Sequence, residues 1–330
     1  MKMKRIPRVD EDLSAVGFGC WGISGSDVWN NTTDADSMAA IHRALDRGIN
    51  FFDVAPVYGL GHAETILGHA LKGHRHEVLI ASKCGLPWDD QKNVRLDLSA
   101  GNLYREIDDS LRRLSTDYVD IYQMHWPDPK TPIEESMEAL LRIKESGKIR
   151  HIGVSNFSAD LTREALALGE IATYQGLYNL LERNPTSYHA INLDYRMEKE
   201  IVPLCREHGI GLLPYSPLFQ GLLTDAFKAE DNFDENDVRS ENPKLNGEAF
   251  PVYFEMSERL RAFARRIGRP LSQVAINWLI RQDVVASVIS GGQIPDHVEE
   301  NAGSASWTLT DEMVDEIEAL LAPYKDAGLV

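Results

Sequence analysis

Short apolar runs rich in β-branched and aromatic residues recur along the chain, and each is followed by a stretch of helical periodicity. That alternation is the mark of repeated βα units around a parallel sheet. Eight runs carry it: AVGFGCW (15–21), INFFDVA (49–55), EVLIASKC (77–84), YVDIYQMH (118–125), RHIGVSNF (150–157), TYQGLYN (173–179), IGLLPYS (210–216) and VVASVIS (284–290). The clearest amphipathic stretch between them is SAGNLYREIDDSLRRL (99–114), with Leu103, Ile107, Leu111 and Leu114 on one stripe. Eight strands alternating with helices predict a closed (β/α)8 TIM barrel, as a single domain over residues 1–330. Ahead of the first run, KRIPRVDEDLSAV is expected to form a hairpin across the barrel's bottom. Two connections stand out as long, 85–98 and 218–250. The second is acidic and turn-rich, which suits either a lid or an unstructured segment.

Composition narrows the partners. With 43% hydrophobic and 26% charged residues, 330 residues can bury a large core. A formal charge of -17 argues against nucleic acid and anionic membranes, since both present phosphate to the protein. No apolar stretch approaches the roughly 20 residues that cross a bilayer. Met1 to Asp10 is basic but lacks the apolar segment of a secretory signal, so a cytoplasmic location is expected. Cys20, Cys84 and Cys205 are too scattered for a disulfide framework or a zinc pattern and are read as reduced thiols, with no metal.

Polar residues at the carboxyl ends of barrel strands converge on one pocket. Asp53 ends the second run, Tyr58 lies in the loop after it, Lys83 ends the third run and His125 ends the fourth. Each alone has an ordinary explanation: Asp53 as a turn cap, Tyr58 as a packed aromatic, His125 as a core histidine bonded to backbone. Lys83 is harder to place that way, because a lysine after the apolar VLIAS is costly unless paired. Taken together, the four suggest proton chemistry. A charged lysine beside a phenol favours the phenolate, so the Tyr58 pKa is expected to fall toward neutrality and make the residue a usable proton donor. A neutral His125 would hold the oxygen of a carbonyl as it becomes an alkoxide.

The segments GFGCWG, FFDVAPVYG, IASKCG, QMHWPD, GKIRHIGVSNF, YQGLYNLL, LPYSPLFQGLLT and VISGGQIPDHVEEN together resemble an aldo-keto reductase over nearly the whole chain. The resemblance implies hydride transfer between a nicotinamide and a carbonyl or alcohol, with Asp53, Tyr58, Lys83 and His125 as the catalytic set. It implies that Ser155, Asn156 and Gln175 hold the nicotinamide amide and that Tyr215 stacks on its ring. Ser216, Leu218, Gln220 and Gly221 match the pyrophosphate loop, and Glu300 and Asn301 match adenine contacts. Gly291 and Gly292 suit close backbone approach ahead of a helix.

The choice between cofactors is open at this point. Relatives that take NADP(H) usually place lysine or arginine after the last strand, where this chain has Gly291, Gly292, Gln293 and His297. Asp225 and Ala226 stand where many relatives read Gly-Lys. The family's habit tips the expectation to NADP(H), with NAD(H) as the alternative the local residues favour. Trp21, Trp29, Trp88 and Trp126 are expected around the mouth for a small-molecule carbonyl or alcohol substrate. Two other readings remain: an NAD-dependent dehydrogenase of a sugar or pyridoxal-like alcohol, and a cofactor-sensing regulatory subunit like the beta subunits of potassium channels. Neither the substrate nor the oligomeric state is legible.

Overall fold

A computed structural model describes residues 1–330 apart from 26–28, 30–31, 190, 232 and 234–236. The undescribed positions include part of the long connection 218–250. Eight parallel strands form one sheet, in chain order β1 (Val16–Gly19), β2 (Phe51–Asp53), β3 (Leu79–Cys84), β4 (Val119–Met124), β5 (Ile149–Ser155), β6 (Thr173–Leu177), β7 (Gly211–Tyr215) and β8 (Val288–Gly291). From β1 to β7 each pairs with the next, and β8 pairs back onto β1. The ring is closed at the remaining seam by a bridge between Leu212 and Val285, where Leu212 N–H donates to Val284 O and Ala286 N–H to Leu212 O, both at 2.8 Å. Six of the eight strands fall inside the apolar runs, and β5 and β8 overrun theirs by one residue, Ile149 and Gly291.

Period-2 alternation explains which side chains meet. In β3, Leu79 and Ala81 face the barrel interior with Phe51, Ile121, Ala172, Leu213, Ala286 and Ile289. Ile80 and Cys84 point the other way, into the larger core between barrel and helices. Lys83, on the inward set, comes out at the carboxyl end of the interior. The opposite end is plugged by the N-terminal hairpin, Met3–Lys4 paired with Leu13–Ser14, which inserts Ile6, Val9 and Leu13 among the interior residues. Polar side chains can therefore collect at one end only. Outside, Ala100–Leu114 buries Leu103, Ile107, Leu111 and Leu114 against the strands.

Three connections at the carboxyl ends are elaborated, one more than the sequence pattern suggests. The 85–98 connection carries an antiparallel bridge between Trp88 and Val94. The connection after β6 contains a two-stranded hairpin, Ser187–Tyr188 with Ile191–Asn192. The described part of 218–250 folds into tight turns and the short helix Pro243–Asn246, capped by Asn242.

Candidate active site

At the carboxyl end of the barrel, a cavity of about 860 Å³ runs from the strand ends to the helix Pro295–Gly303. Its floor holds the four ionisable groups read from the strand ends. Gly19 pairs with Asp53, Asp53 with Ala81 and Lys83 with Gln123, so adjacent strands bring the carboxylate and the ammonium to the same level. Lys83 is fully buried, and its Nζ donates to Asp53 Oδ1 at 2.7 Å, Val54 O at 3.1 Å and Tyr58 Oη at 3.1 Å. All three ammonium protons are thus spent. Asp53 Oδ2 accepts from Gln175 Nε2 at 2.7 Å, so both of its oxygens are engaged. The His125 ring lies 5.9 Å from the Tyr58 ring, and its backbone N–H donates to Cys84 O.

The electrostatics correct one expectation. The Tyr58 phenol is pushed well above its ordinary value, not lowered, by burial first and by the Asp53 charge second. Lys83 fails to reverse this because Asp53, closer to the ammonium than the phenol is, answers its charge. Burial also lowers Lys83 against the opposing pull of Asp53. His125 is held well below the usual imidazole range by burial and then by Lys83, which favours its neutral form. The floor therefore consists of a protonated phenol, a neutral imidazole and a paired ammonium.

Along the far wall, Ser155, Asn156, Gln175 and Tyr215 line the cavity as the sequence reading has them. Asn156 is held from three sides: its Nδ2 donates to His125 O at 3.2 Å and to Ser155 Oγ at 3.1 Å, while its Oδ1 accepts from Tyr215 Oη at 2.9 Å. Gln175, expected to hold a nicotinamide amide, commits one Nε2 proton to Asp53 and keeps the other and its Oε1 for a ligand. Beyond them Ser216, Phe219 and Gln220 have φ of 52°, 48° and 52°, and Gly221 has 104°. Left-handed backbone at non-glycine residues costs about 1–3 kcal/mol each and clusters where a ligand is gripped. Gln220 is tied on both sides, by its Nε2 to His189 Nε2 at 3.0 Å and by its Oε1 to Asn242 Nδ2 at 2.7 Å.

Leu218, Gly221, Gly291, Gln293, His297, Glu300 and Asn301 complete the distal end. A Cβ built on Gly291 would meet nothing nearer than Gly19 O at 4.0 Å, so the strand end is open on that side. The adjoining helix Pro295–Gly303 offers its amino-terminal end to the cavity. A long cleft with a polar pocket at one end and an anion-compatible helix start at the other fits an extended dinucleotide. Asn301 gives its Nδ2 to Gly291 O at 2.9 Å, and Glu300 accepts from Ser272 Oγ.

Trp21, Trp29 and Trp126 line the cavity; Trp21 stands 5.0 Å from the Tyr58 ring and 6.5 Å from the Trp29 ring. Trp88 does not line it. It sits in the 85–98 connection, bridged to Val94, with the Arg113 guanidinium 5.8 Å from its ring centre. Sequence reasoning missed Tyr188, whose ring meets Tyr215 edge-on at 5.3 Å, and Arg239, both of which line the cavity. The apolar and polar alternation of TSYHAINLDY was the available signal for the hairpin that carries Tyr188.

Residues 15–322 match the model of the Aldo/keto reductase family. The chain belongs to that family. Among its members, an aldo-keto reductase of Bacillus subtilis (strain 168), YhdN, is 35% identical over 94% of this chain and 90% of the relative. The NADH-specific methylglyoxal reductase of Escherichia coli (strain K12) is 34% identical over 94% of this chain and 95% of the relative. Among solved structures, the glycerol dehydrogenase from Gluconobacter oxydans superposes with a TM-score of 0.86 at 36% identity, covering 97% of this chain and 95% of that one. Membership accounts for the barrel and for an oxidoreductase that uses NAD(P)(H). No described helix is long and apolar enough to cross a membrane.

Proposed function

We infer that the protein interconverts an aldehyde or ketone and the corresponding alcohol, with Tyr58 as the residue that gives and takes the proton. The observation that carries the assignment is the Lys83 bond to Tyr58 Oη at 3.1 Å. Because the phenol oxygen accepts there, its own proton is directed away from Lys83 and toward the cavity. The nicotinamide, when bound, supplies or removes the hydride. Tyr58 donates its proton to the oxygen of the carbonyl being reduced, and Lys83 stabilises the phenolate left behind. Asp53, braced by Gln175, fixes Lys83. His125, neutral, holds the carbonyl oxygen without competing for the proton. The hydrogen-bonded set of Asp53, Lys83 and Tyr58, facing the cavity beside His125, favours the enzyme over the regulatory-subunit reading.

For the cofactor, the distal cavity favours NAD(H) over NADP(H), against the family's habit. Its lining carries Asp225, Asp296 and Glu300, and Arg239 is the one lysine or arginine among the described lining residues. Arg239 is already paired with Asp237 at 2.6 Å, and burial holds His297 below the usual imidazole range. A 2′-phosphate would bring a further negative charge to a site without a free cation. The test is turnover of small aldehydes and alcohols with each cofactor in parallel. Absence of turnover with both cofactors across all of them would contradict the reading.

A further inference from the structure

Arg239 occupies an unusual position for a cation in this molecule. It belongs to the described part of the long connection after β7 and lines the cavity on the side of the tryptophans, its guanidinium 5.8 Å from the Trp29 ring centre. The side chain is prefixed rather than free. Asp237, 5% exposed, accepts from Arg239 Nε at 2.9 Å and from Nη2 at 2.6 Å, and the same carboxylate accepts the Arg239 backbone N–H at 2.9 Å. The face of Phe233 lies 4.2 Å beneath the guanidinium. An arginine held in plane by a carboxylate and stacked from below loses little entropy when it takes a further partner.

The guanidinium has five N–H groups; Asp237 takes two, and among the described residues no carboxylate or carbonyl takes the other three. Such a group is a hydrogen-bond donor without a net local charge. The surroundings decide what it can select. Lys83, buried beneath the cavity floor, is paired with Asp53, and burial keeps His125 and His297 in the lining, and His189 beside Gln220, below the ordinary range. Asp225, Asp296 and Glu300 add negative charge. An anionic substrate would meet a negative field with no free cation to offset it, whereas a neutral oxygen would meet a preoriented donor. Trp21, Trp29 and Trp126 supply flat apolar walls for the carbon skeleton.

We propose that Arg239 selects the substrate, donating hydrogen bonds to a hydroxyl or second carbonyl oxygen on the tail of a neutral aldehyde, ketone or alcohol. The proposal rests on the oxidoreductase reading and narrows its substrate class. Removing Arg239 alone would leave Asp237 buried and unpaired, so the informative variant is the double change Arg239→Met with Asp237→Asn. It is compared with wild type, using NADH, on three aldehydes: glyceraldehyde, which carries tail hydroxyls; propanal, which carries none; and glyoxylate, which is anionic.

Wild type is expected to use glyceraldehyde best and glyoxylate worst. The double variant is expected to lose about 10- to 100-fold in kcat/KM for glyceraldehyde, mainly through KM, and to keep its rate on propanal and its NADH Kd. Preference of the wild type for glyoxylate would overturn the proposal in favour of an anion site. An equal loss on glyceraldehyde and propanal, or a weakened NADH Kd with unchanged substrate preference, would assign Arg239 to the cofactor or to the loop and overturn it as well. Wild type with tight NADH binding and no turnover of any aldehyde would bring down the oxidoreductase reading instead.

Discussion

Lys83 donates to Tyr58 Oη across 3.1 Å while holding Asp53 at 2.7 Å, and the shorter bond decides the charge state of the longer one. The ammonium is satisfied by the carboxylate, so the phenol stays protonated far above neutrality, raised by burial and by Asp53. Carbonyl reduction consumes that proton and is therefore expected to be nearly independent of pH between 6 and 9. Alcohol oxidation needs the phenolate and is expected to rise with pH, about tenfold per unit at most. Steady-state profiles in both directions check this. A reduction rate that falls through neutrality would contradict it.

Gly59, directly after Tyr58, has a φ of +60°, and a Cβ there would sit 2.0 Å from Ser24 O and 2.9 Å from Ser24 C. Both atoms belong to the Ser24 backbone, which cannot swing aside as a flexible side chain could. Gly59→Ala is expected to shift the turn that carries Tyr58 and to lower kcat about 100-fold, with the NADH Kd unchanged. The comparison of single-turnover rates with a fluorescence titration separates the two effects.

Glu106 lies outside the reaction but inside the core, 7% exposed, accepting Gly85 N–H at 2.6 Å and Asn102 Nδ2 at 2.8 Å on one oxygen. Burial pushes its carboxyl up to about 7, helped by the charges of Asp97 and Glu64 and opposed by those hydrogen bonds. Since the folded value is above the unfolded one, its contribution is complete at low pH and is lost as pH rises through 7. Glu106→Gln keeps the acceptor and removes the titration. The unfolding free energy of wild type relative to this variant should fall by about 2–3 kcal/mol from pH 5 to pH 8. A constant difference in urea melts would refute the assignment.

The distal carboxylates make a prediction about cofactors. NADH is expected to bind more tightly than NADPH, and Gln293→Arg, which puts a cation on the open lip beside Gly291 and Gly292, is expected to improve NADPH binding about tenfold. Parallel fluorescence titrations at one ionic strength measure both. Tighter binding of NADPH by the wild type would show that backbone amides and hydroxyls bind the phosphate without a cation.

Much of this was legible before the structure. Each barrel strand announces itself because both of its faces are buried, so INFFDVA and EVLIASKC read as continuous apolar runs bounded by polar residues. The pairing of Asp53 with Lys83 was legible for the same reason, as both interrupt apolar runs where a charge needs a partner. Arg239 was not, because its place depends on how an irregular connection crosses the cavity, and for Tyr188 the alternation of TSYHAINLDY signals a hairpin but not where it lies. Trp88 was assigned to the mouth from its order after β3, but the Trp88 to Val94 bridge turns it aside. The direction of the Tyr58 shift was misread because its sign hangs on burial and on two distances differing by a few tenths of an ångström.

The most direct test of the account is the turnover of Tyr58→Phe, measured with a small aldehyde and saturating NADH alongside an NADH titration. Loss of the proton donor alone predicts a kcat lower by about 10²–10⁴ with an unchanged NADH Kd. Near-normal turnover in that variant would contradict the role given to Tyr58 and with it the reading of the whole site.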